Sequence, residues 1–154
     1  MRNLHHMLRQ LADLSRDAYL REQGAATEVT LAALRTALAN GAGVLLSAHE
    51  AHGELVLTVA REAIAEALTL LRDAHEYQQL MEIAGVDYPD RPERFEVAYH
   101  LLSVTRNHRI RVKVSTDEDK PVPTVTHIWP VAGWLEREVF DMYGVVFEGN
   151  TDLR

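Results

Sequence analysis

The 154-residue sequence contains no cysteine. This absence excludes disulfide bonds, a thiol nucleophile, zinc sites built on thiolates and ordinary iron–sulfur ligation. It also fits a reducing compartment. The chain therefore lacks the side chains from which most protein-bound redox centres are built.

Aromatic residues, basic charge and long apolar runs are also scarce. Aromatics make up 6%, and 23 acidic residues outnumber 16 Lys and Arg, for a net charge of −7. A nucleic-acid-binding role is disfavoured, because phosphate binding needs cations and base stacking needs aromatic rings. No apolar run is long enough to cross a membrane, and Met1–Gln10 lacks a signal-peptide core. The 47% hydrophobic and 25% charged fractions are typical of a soluble globular chain.

The first half of the sequence alternates between helical and strand patterns. Residues 1–40 are predicted to be helical, because leucines recur there at spacings of three and four. Val44–Ala48 and Leu55–Ala60 are predicted strands separated by a polar loop, His49–Glu54. Arg61–Tyr77 returns to helical spacing. The predicted buried face of that helix consists of Ile64, Ala67, Leu68, Leu71 and Ala74.

The second half is richer in strand patterns. Leu80–Asp87 is a predicted strand, and Phe95–Ser103 with Arg109–Val114 forms a predicted hairpin with one apolar and one basic face. Thr116–Pro123 is a predicted loop, and Val131–Tyr143 is a predicted helix. The apolar stripe of that helix is predicted to be Leu135, Val139 and Met142. Because the strands are grouped, the predicted class is α+β, a mixed α/β sandwich. It has N-terminal helices, a mixed sheet with a long hairpin and a C-terminal charged helix.

The basic face of the hairpin consists of Arg109, Arg111 and Lys113. Period-two alternation routinely places charges on a solvated strand face, which is the ordinary interpretation. The more specific interpretation is a docking face for an acidic partner, where charge complementarity sets register and association rate. Both stay open from the residues alone.

Enzyme motifs are poorly represented. His49-Glu50-Ala51-His52 is not a zinc-protease motif, because Gly53 occupies the position of the second histidine. Gly41-Ala42-Gly43 precedes a predicted strand, the reverse of the strand-to-helix order of a nucleotide loop. No catalytic, cofactor-binding or metal residue is therefore predicted. A stand-alone acid–base enzyme is the weaker alternative. It would depend on histidines that fall on separate predicted elements: His100, His108 and His127.

The segment from Trp134 to Phe147 sets charged residues among bulky apolar ones. Arg137 and Asp141 are four apart on the predicted helix and can form an ion pair. A dense charged and aromatic face with no catalytic set around it suggests an interface. The alternative is an ordinary amphipathic helix with a solvated face.

Glu136-Arg137-Glu138, followed after two residues by Asp141-Met142-Tyr143-Gly144, resembles the signature of the 30 kDa subunit (the C subunit) of bacterial respiratory complex I. The likeness extends through Pro121-Val122-Pro123, Asp87-Tyr88-Pro89 and the long hairpin. It predicts a single domain over 1–154, with a helical part over 1–40 and a part like the 30 kDa subunit over 41–154. The signature residues it implies for interaction are Glu136, Arg137, Glu138, Asp141, Met142, Tyr143 and Gly144.

The resemblance implies a non-catalytic structural or assembly subunit in the peripheral arm of NADH:quinone oxidoreductase. That complex couples electron transfer to quinone with proton translocation. The implied partners are its quinone-reducing and iron–sulfur subunits, which would hold the flavin, clusters, NADH and quinone, while this chain binds none. The implied location is peripheral, on the cytoplasmic side of the bacterial inner membrane, with membrane contact only through the complex.

Two departures from the family pattern stand near the end of the sequence. Asn150-Thr151 occupies the place of the usual His-Pro, whereas Asp152, Leu153 and Arg154 match. The sequence ends where the family usually continues into a C-terminal tail. Two interpretations stay open: the sequence is a truncated piece of a longer chain, or the protein is a shorter relative with weaker partner contacts. Membership of a different enzyme complex is the alternative, since related subunits occur in membrane-bound hydrogenases and in dehydrogenases that use other electron donors.

Overall fold

The computed structural model describes residues 45–51 and 54–153. The helices predicted within residues 1–40 lie outside the described residues, as do Gly41-Ala42-Gly43 and His52.

A five-stranded mixed sheet forms the centre of the described fold. Its strands are β1 (Leu45–Ala51), β2 (Glu54–Val59), β3 (Gln79–Asp87), β4 (Phe95–Ser103) and β5 (His108–Thr116). The spatial order is β1-β2-β5-β4-β3. The β2–β5 pair is parallel, and the other three pairs of this sheet are antiparallel. The predicted α+β class with a mixed sheet is confirmed.

Two helices and a short second sheet complete the described fold. A 3-10 turn (Arg61–Ala63) leads into α1 (Ile64–His75), and the second helix is α2 (Ala132–Tyr143). Strands β6 (Val122–Pro123) and β7 (Phe147–Glu148) form a separate parallel pair. The buried side chains of both helices join those of one sheet face in a single core, which gives a two-layer arrangement.

The β4–β5 hairpin confirms the period-two prediction. Val97 lies opposite Val114 and Tyr99 opposite Val112, and all four side chains are fully buried. Asn107 ends the turn with a φ of 50°, a left-handed conformation that asparagine tolerates well. The opposite face of β5 carries the basic residues, as the alternation predicted.

Three local predictions were wrong. His49–Glu54 is not a loop, because β1 continues to Ala51, which pairs with Glu54. Strand β1 is at the edge of the sheet, and its His49 side chain is exposed. Polar side chains are favoured on such edge strands, which is why the segment resembles a loop in sequence. Ala74, predicted to be on the buried face of α1, is exposed. The neighbouring His75, the last residue of the helix, is buried in its place. The predicted Thr116–Pro123 loop contains strand β6.

Candidate interaction site

Helix α2, which carries the family signature, begins after Pro130 and ends at Gly144. Pro130 lies outside the helix, next to the N-cap residue Val131, so its missing N–H removes no hydrogen bond of the helix. At the other end, the N–H of Gly144 donates to the carbonyl of Phe140 at 2.8 Å. The φ of Gly144 is 77°, the left-handed conformation that glycine adopts without steric cost. The signature glycine therefore ends the helix.

Gly85 on β3 allows α2 to lie close to the sheet. A Cβ atom at this position would be 2.7 Å from both Cδ2 and Cε2 of Tyr143, and 3.2 Å from Cγ1 of Val139. The Tyr143 ring also packs against Phe95, with 5.9 Å between ring centroids. Tyr143, a signature residue, is therefore part of the contact between α2 and the sheet.

The predicted apolar stripe of α2 is wrong at Met142. Val139 is 3% exposed, but Met142 is 73% exposed. Because Tyr143 rather than Met142 faces the sheet, the helix is rotated relative to the prediction. The residues that line its buried side are Ala132, Glu136 and Val139.

Glu136 is a charged residue in the interior of the fold. Its exposed fraction is 0%. The hydroxyl of Thr124 lies 2.5 and 2.9 Å from its two carboxylate oxygens, and the N–H of Val125 donates to Oε2 at 3.4 Å. Glu136 is therefore a signature residue whose side chain makes contacts inside the fold and is not exposed to solvent. These contacts make Glu136 part of the fold that supports α2.

Burial raises the pKa of Glu136, and hydrogen bonds from Thr124, Val125 and Asn150 partly offset that effect. The pKa of Tyr99 is raised well above its ordinary value, first by complete burial and then by the nearby Glu136 carboxylate. Both groups therefore favour their neutral forms more than they would in water. The pair belongs to the core beneath α2.

The solvent side of α2 carries large apolar side chains. Trp134 is 64% exposed and Met142 is 73% exposed. Glu138 lies between them, one helical turn from each, and accepts a hydrogen bond from Trp134 Nε1 at 3.0 Å. Val131, the residue before the helix, and Val146, three residues after its last residue, are about half exposed. These four apolar residues (Val131, Trp134, Met142 and Val146) are here called the α2 stripe.

One cation and several carboxylates border the α2 stripe. Arg137 Nε lies 3.9 Å from Asp141 Oδ2, which confirms the predicted pair, and Arg137 Nη1 lies 4.0 Å from Asp152 Oδ1. Both carboxylates are largely exposed, so these pairs contribute little to stability. Glu138 has the Trp134 indole rather than a cation as its partner. The surface around the stripe is acidic.

Asn150, one of the two departures from the family pattern, joins the C-terminal turn to the start of α2. Its side-chain nitrogen donates to the carbonyl of Gly133 at 3.4 Å, and its side-chain oxygen accepts from the N–H of Asp152 at 2.8 Å. Strand β7 precedes this turn and pairs with β6, with Phe147 opposite Val122. The substituted residue therefore makes structural contacts of its own.

The basic row on β5 lies on the sheet face opposite the core, as predicted. Two of its members pair within the chain: Arg111 Nη2 with Glu54 Oε2 at 3.4 Å, and Lys113 Nζ with Glu96 Oε1 at 3.2 Å. Arg109 is exposed, and in the described part of the chain no carboxylate lies within 4 Å of it. A docking role for this row stays a prediction, and Arg109 is the member with its charge available.

The histidines considered for acid–base chemistry lie on different surfaces. His108 faces the core, with Nδ1 2.6 Å from the Tyr77 hydroxyl, whereas His100 lies on the other face opposite Arg111. Burial, followed by Arg111, lowers the pKa of His100. His127 is exposed in the segment before α2. The fold does not assemble these three side chains into one site.

Metal-ligand clusters and membrane-spanning helices are both absent from residues 45–51 and 54–153. No group of three or more His, Cys, Asp or Glu side chains in these ranges is placed to hold a metal ion. Neither of the two helices described there is long and apolar enough to cross a membrane.

Gly85 and Thr124 are the site residues that sequence reasoning missed. Each acts on a signature residue through the tertiary fold, and Thr124 is 12 positions from Glu136 along the chain. No local pattern marks such a partner. The nearest signal is the Pro-Val-Pro run just before Thr124, which belongs to the family resemblance but does not indicate a contact with Glu136.

The described residues form a small α+β domain in which one helix carries exposed apolar side chains on its outer side. The profile of the family described as respiratory-chain NADH dehydrogenase, 30 Kd subunit, matches residues 57–154, well over half of the chain. The protein belongs to this family.

Two relatives show how similar the chain is to other members. It is 71% identical over 108 residues to the C subunit of NADH-quinone oxidoreductase from Erythrobacter litoralis, a match that covers 70% of this chain and 43% of the relative. It is 57% identical over 130 residues to the protein of the same name from Phenylobacterium zucineum, covering 84% and 62% respectively. The chain thus spans less than two thirds of the length of these relatives.

Two solved structures share the fold. The chain is similar to a trypsin-resistant fragment (1-134) of Nqo5, with 35% identity and a TM-score of 0.70, covering 83% of this chain and 99% of the fragment. It is also similar to a chain in the membrane-bound sulfane sulfur reductase, an archaeal respiratory membrane complex. That second match has 28% identity and a TM-score of 0.69, covering 82% of this chain and 73% of the other.

Proposed function

We propose that this protein is a non-catalytic structural and assembly subunit in the peripheral arm of an NADH:quinone oxidoreductase. The observation that carries the proposal is the signature helix itself, which presents Trp134 and Met142 to solvent. Large exposed apolar side chains on a rigid helix are typical of protein interfaces. The 71% identity to an NADH-quinone oxidoreductase C subunit supports the assignment to this machine.

In this proposal the chemistry belongs to partner subunits. The quinone-reducing and iron–sulfur subunits would hold the flavin, clusters, NADH and quinone, and this chain would bind no cofactor. Electron transfer to quinone and coupled proton translocation would be activities of the whole complex, and the isolated chain would be inactive. Its membrane contact, on the cytoplasmic side of the bacterial inner membrane, would occur only through the complex.

A second candidate is the equivalent position in a complex with another electron donor or acceptor, including a membrane-bound hydrogenase. The observation in its favour is the shared fold with a chain of the membrane-bound sulfane sulfur reductase. The much higher identity to the C subunit of an NADH-quinone oxidoreductase favours the first candidate.

The test is purification of an affinity-tagged chain, expressed from its own gene, from gently solubilised membranes. We expect flavin- and cluster-bearing subunits to co-purify together with NADH:quinone activity. Nickel-bearing partners, or a preparation active with another donor but not NADH, would support the second candidate. Turnover by the chain purified without partners would instead support the hypothesis of a stand-alone enzyme.

A further inference from the structure

We propose that the α2 stripe docks against a protein surface that offers apolar contacts to Trp134 and Met142 and Lys or Arg side chains to the carboxylates between and beside them. This inference rests on the proposed function and adds which face of the chain is used and what chemistry the partner presents there.

Exposed apolar side chains are concentrated at this stripe. Among the described residues six large hydrophobic side chains are exposed, and four of them form the α2 stripe. The other two, Leu46 and Met81, lie on strands at opposite edges of the sheet. Tryptophan and methionine are enriched in interfaces, where a few such side chains supply most of the binding free energy. Trp134 and Met142 are therefore the expected anchors.

The charged residues on α2 and in the segment that follows it are almost all acidic. Between residues 131 and 153 the exposed acidic residues are Glu138, Asp141, Glu148 and Asp152. The only base in that range is Arg137, which is already shared between Asp141 and Asp152. Glu138 and Asp141 lie on α2, and Asp152 lies 4.0 Å from Arg137, so three carboxylates against one guanidinium leave two negative charges at the apolar surface. A partner that brings cations to this surface would find complementary charge here.

The same charges disfavour other occupants. A second copy of this chain would bring one acidic border against another. An anionic lipid surface would also be repelled, because such membranes attract Lys and Arg and not carboxylates. A basic protein surface gains both attraction to the carboxylates and burial of the exposed apolar side chains.

The stripe is also held rigidly, which lowers the entropic cost of docking. On its inner side α2 is fixed by Glu136 to Thr124 and by Tyr143 to the sheet at Gly85. The outer side chains are therefore presented by a helix whose rotation is set by core contacts.

The first test introduces paired variants into the tagged chain in its native gene and compares the amount of complex recovered. Trp134→Ala with Met142→Ala removes the apolar anchors, and Glu138→Lys with Asp141→Lys reverses the charge of two carboxylates on α2. Each is expected to lower recovery of partner subunits roughly tenfold, the effect of losing interface anchors. The matched controls are Leu46→Ala with Met81→Ala, and Asp90→Lys with Asp119→Lys. These change exposed residues elsewhere and are expected to alter recovery by less than about twofold.

The second test places a photo-crosslinking residue at the stripe of the assembled complex, as Met142→p-benzoylphenylalanine. The expected product joins this chain to a peptide of another subunit that has Lys or Arg close to the attachment point. Crosslinking to a second copy, to lipid, or to an acidic peptide would overturn the inference.

The outcomes separate this inference from the proposed function. If the unmodified chain brings down no NADH dehydrogenase subunits, the proposed function fails. If it does, but both stripe variants are recovered as fully as the controls, only the docking surface is wrong. Equal losses from stripe and control variants would likewise overturn the assignment to α2. All four variants alter exposed side chains and should leave folding unchanged. The thermal unfolding temperature of each purified chain checks this.

Discussion

The hydroxyl of Thr124 lies 2.5 and 2.9 Å from the two carboxylate oxygens of Glu136, beneath the surface of the signature helix. This contact ties α2 to the segment that follows β6. The signature is therefore divided between two roles. Glu136, Tyr143 and Gly144 shape the fold, whereas Glu138 and Met142 face outward.

Thr124→Val should lower the free energy of unfolding at neutral pH by about 1.5–3 kcal/mol. The variant keeps the side-chain shape but removes a hydrogen bond to a buried charged group, which is worth that much. Urea denaturation of the purified chain measures the change. Thr124→Ser, which keeps the hydroxyl and loses a methyl, is the matched control and should cost less. If the two substitutions cost the same, the hydrogen bond does not carry the stability.

Glu136→Gln should remove one pH-dependent contribution to stability. The pKa of Glu136 is raised above its ordinary value of 4.5 in the folded chain, chiefly by burial. The folded state therefore binds the proton more tightly than the unfolded state does. The resulting stabilisation is complete below pH 4.5 and is lost as the pH rises through the folded pKa.

The measurement for Glu136→Gln is the difference in unfolding free energy between the native chain and the variant, taken at several pH values. That difference should move in favour of the native chain as the pH falls from 7 towards 4.5, since other titrating groups cancel in it. A difference independent of pH, or one that moves in favour of the variant on acidification, would contradict the raised pKa.

The order of helices and strands in the described part of the chain, and the position of the signature helix, could be predicted because they depend on local periodicity. The alternation through Tyr99 and Val112 identifies the hairpin directly. The rotation of α2 could not be predicted, because it depends on Gly85 making room for Tyr143, a contact between distant parts of the sequence. The same reason explains why Met142 was assigned to the buried side and Glu136 was not. A charged residue is expected outside unless its partner, here Thr124, is known.

Gly85→Ala should destabilise the chain by about 1–3 kcal/mol, the usual cost of overpacking a core. The added Cβ would come within 2.7 Å of the Tyr143 ring, so α2 or the ring must move. Gly133→Ala is the control within α2, where the added atom would meet only Thr126 Cγ2 at 3.6 Å. Because alanine favours the helix, that variant should be neutral or more stable by up to about 1 kcal/mol. Thermal or urea unfolding distinguishes the two, and equal effects would show that α2 has room to move at Gly85.

Lys113→Ala should destabilise the isolated chain, whereas Arg109→Ala should not. The Glu96 side chain is only 10% exposed and pairs with Lys113 Nζ at 3.2 Å and Arg91 Nη1 at 3.2 Å. Loss of Lys113 leaves a largely buried carboxylate with one, more exposed, cation, which should cost about 1–2 kcal/mol. Arg109 has no such partner in the described part of the chain, so its loss should stay within about 0.5 kcal/mol. Urea unfolding of both variants measures the difference, and equal losses would show that the pair with Glu96 contributes nothing.

The same row of β5 offers a test of the predicted acidic-partner docking face. Arg109→Glu reverses the available charge without breaking an ion pair of the described fold, so unfolding should be unchanged while recovery of the assembled complex falls. The loss should be largest in low-salt buffer, because salt screens exposed charges. If the complex is recovered fully at low salt, the row is a solvated strand face, and the charges of Arg111 and Lys113 serve only the pairs with Glu54 and Glu96.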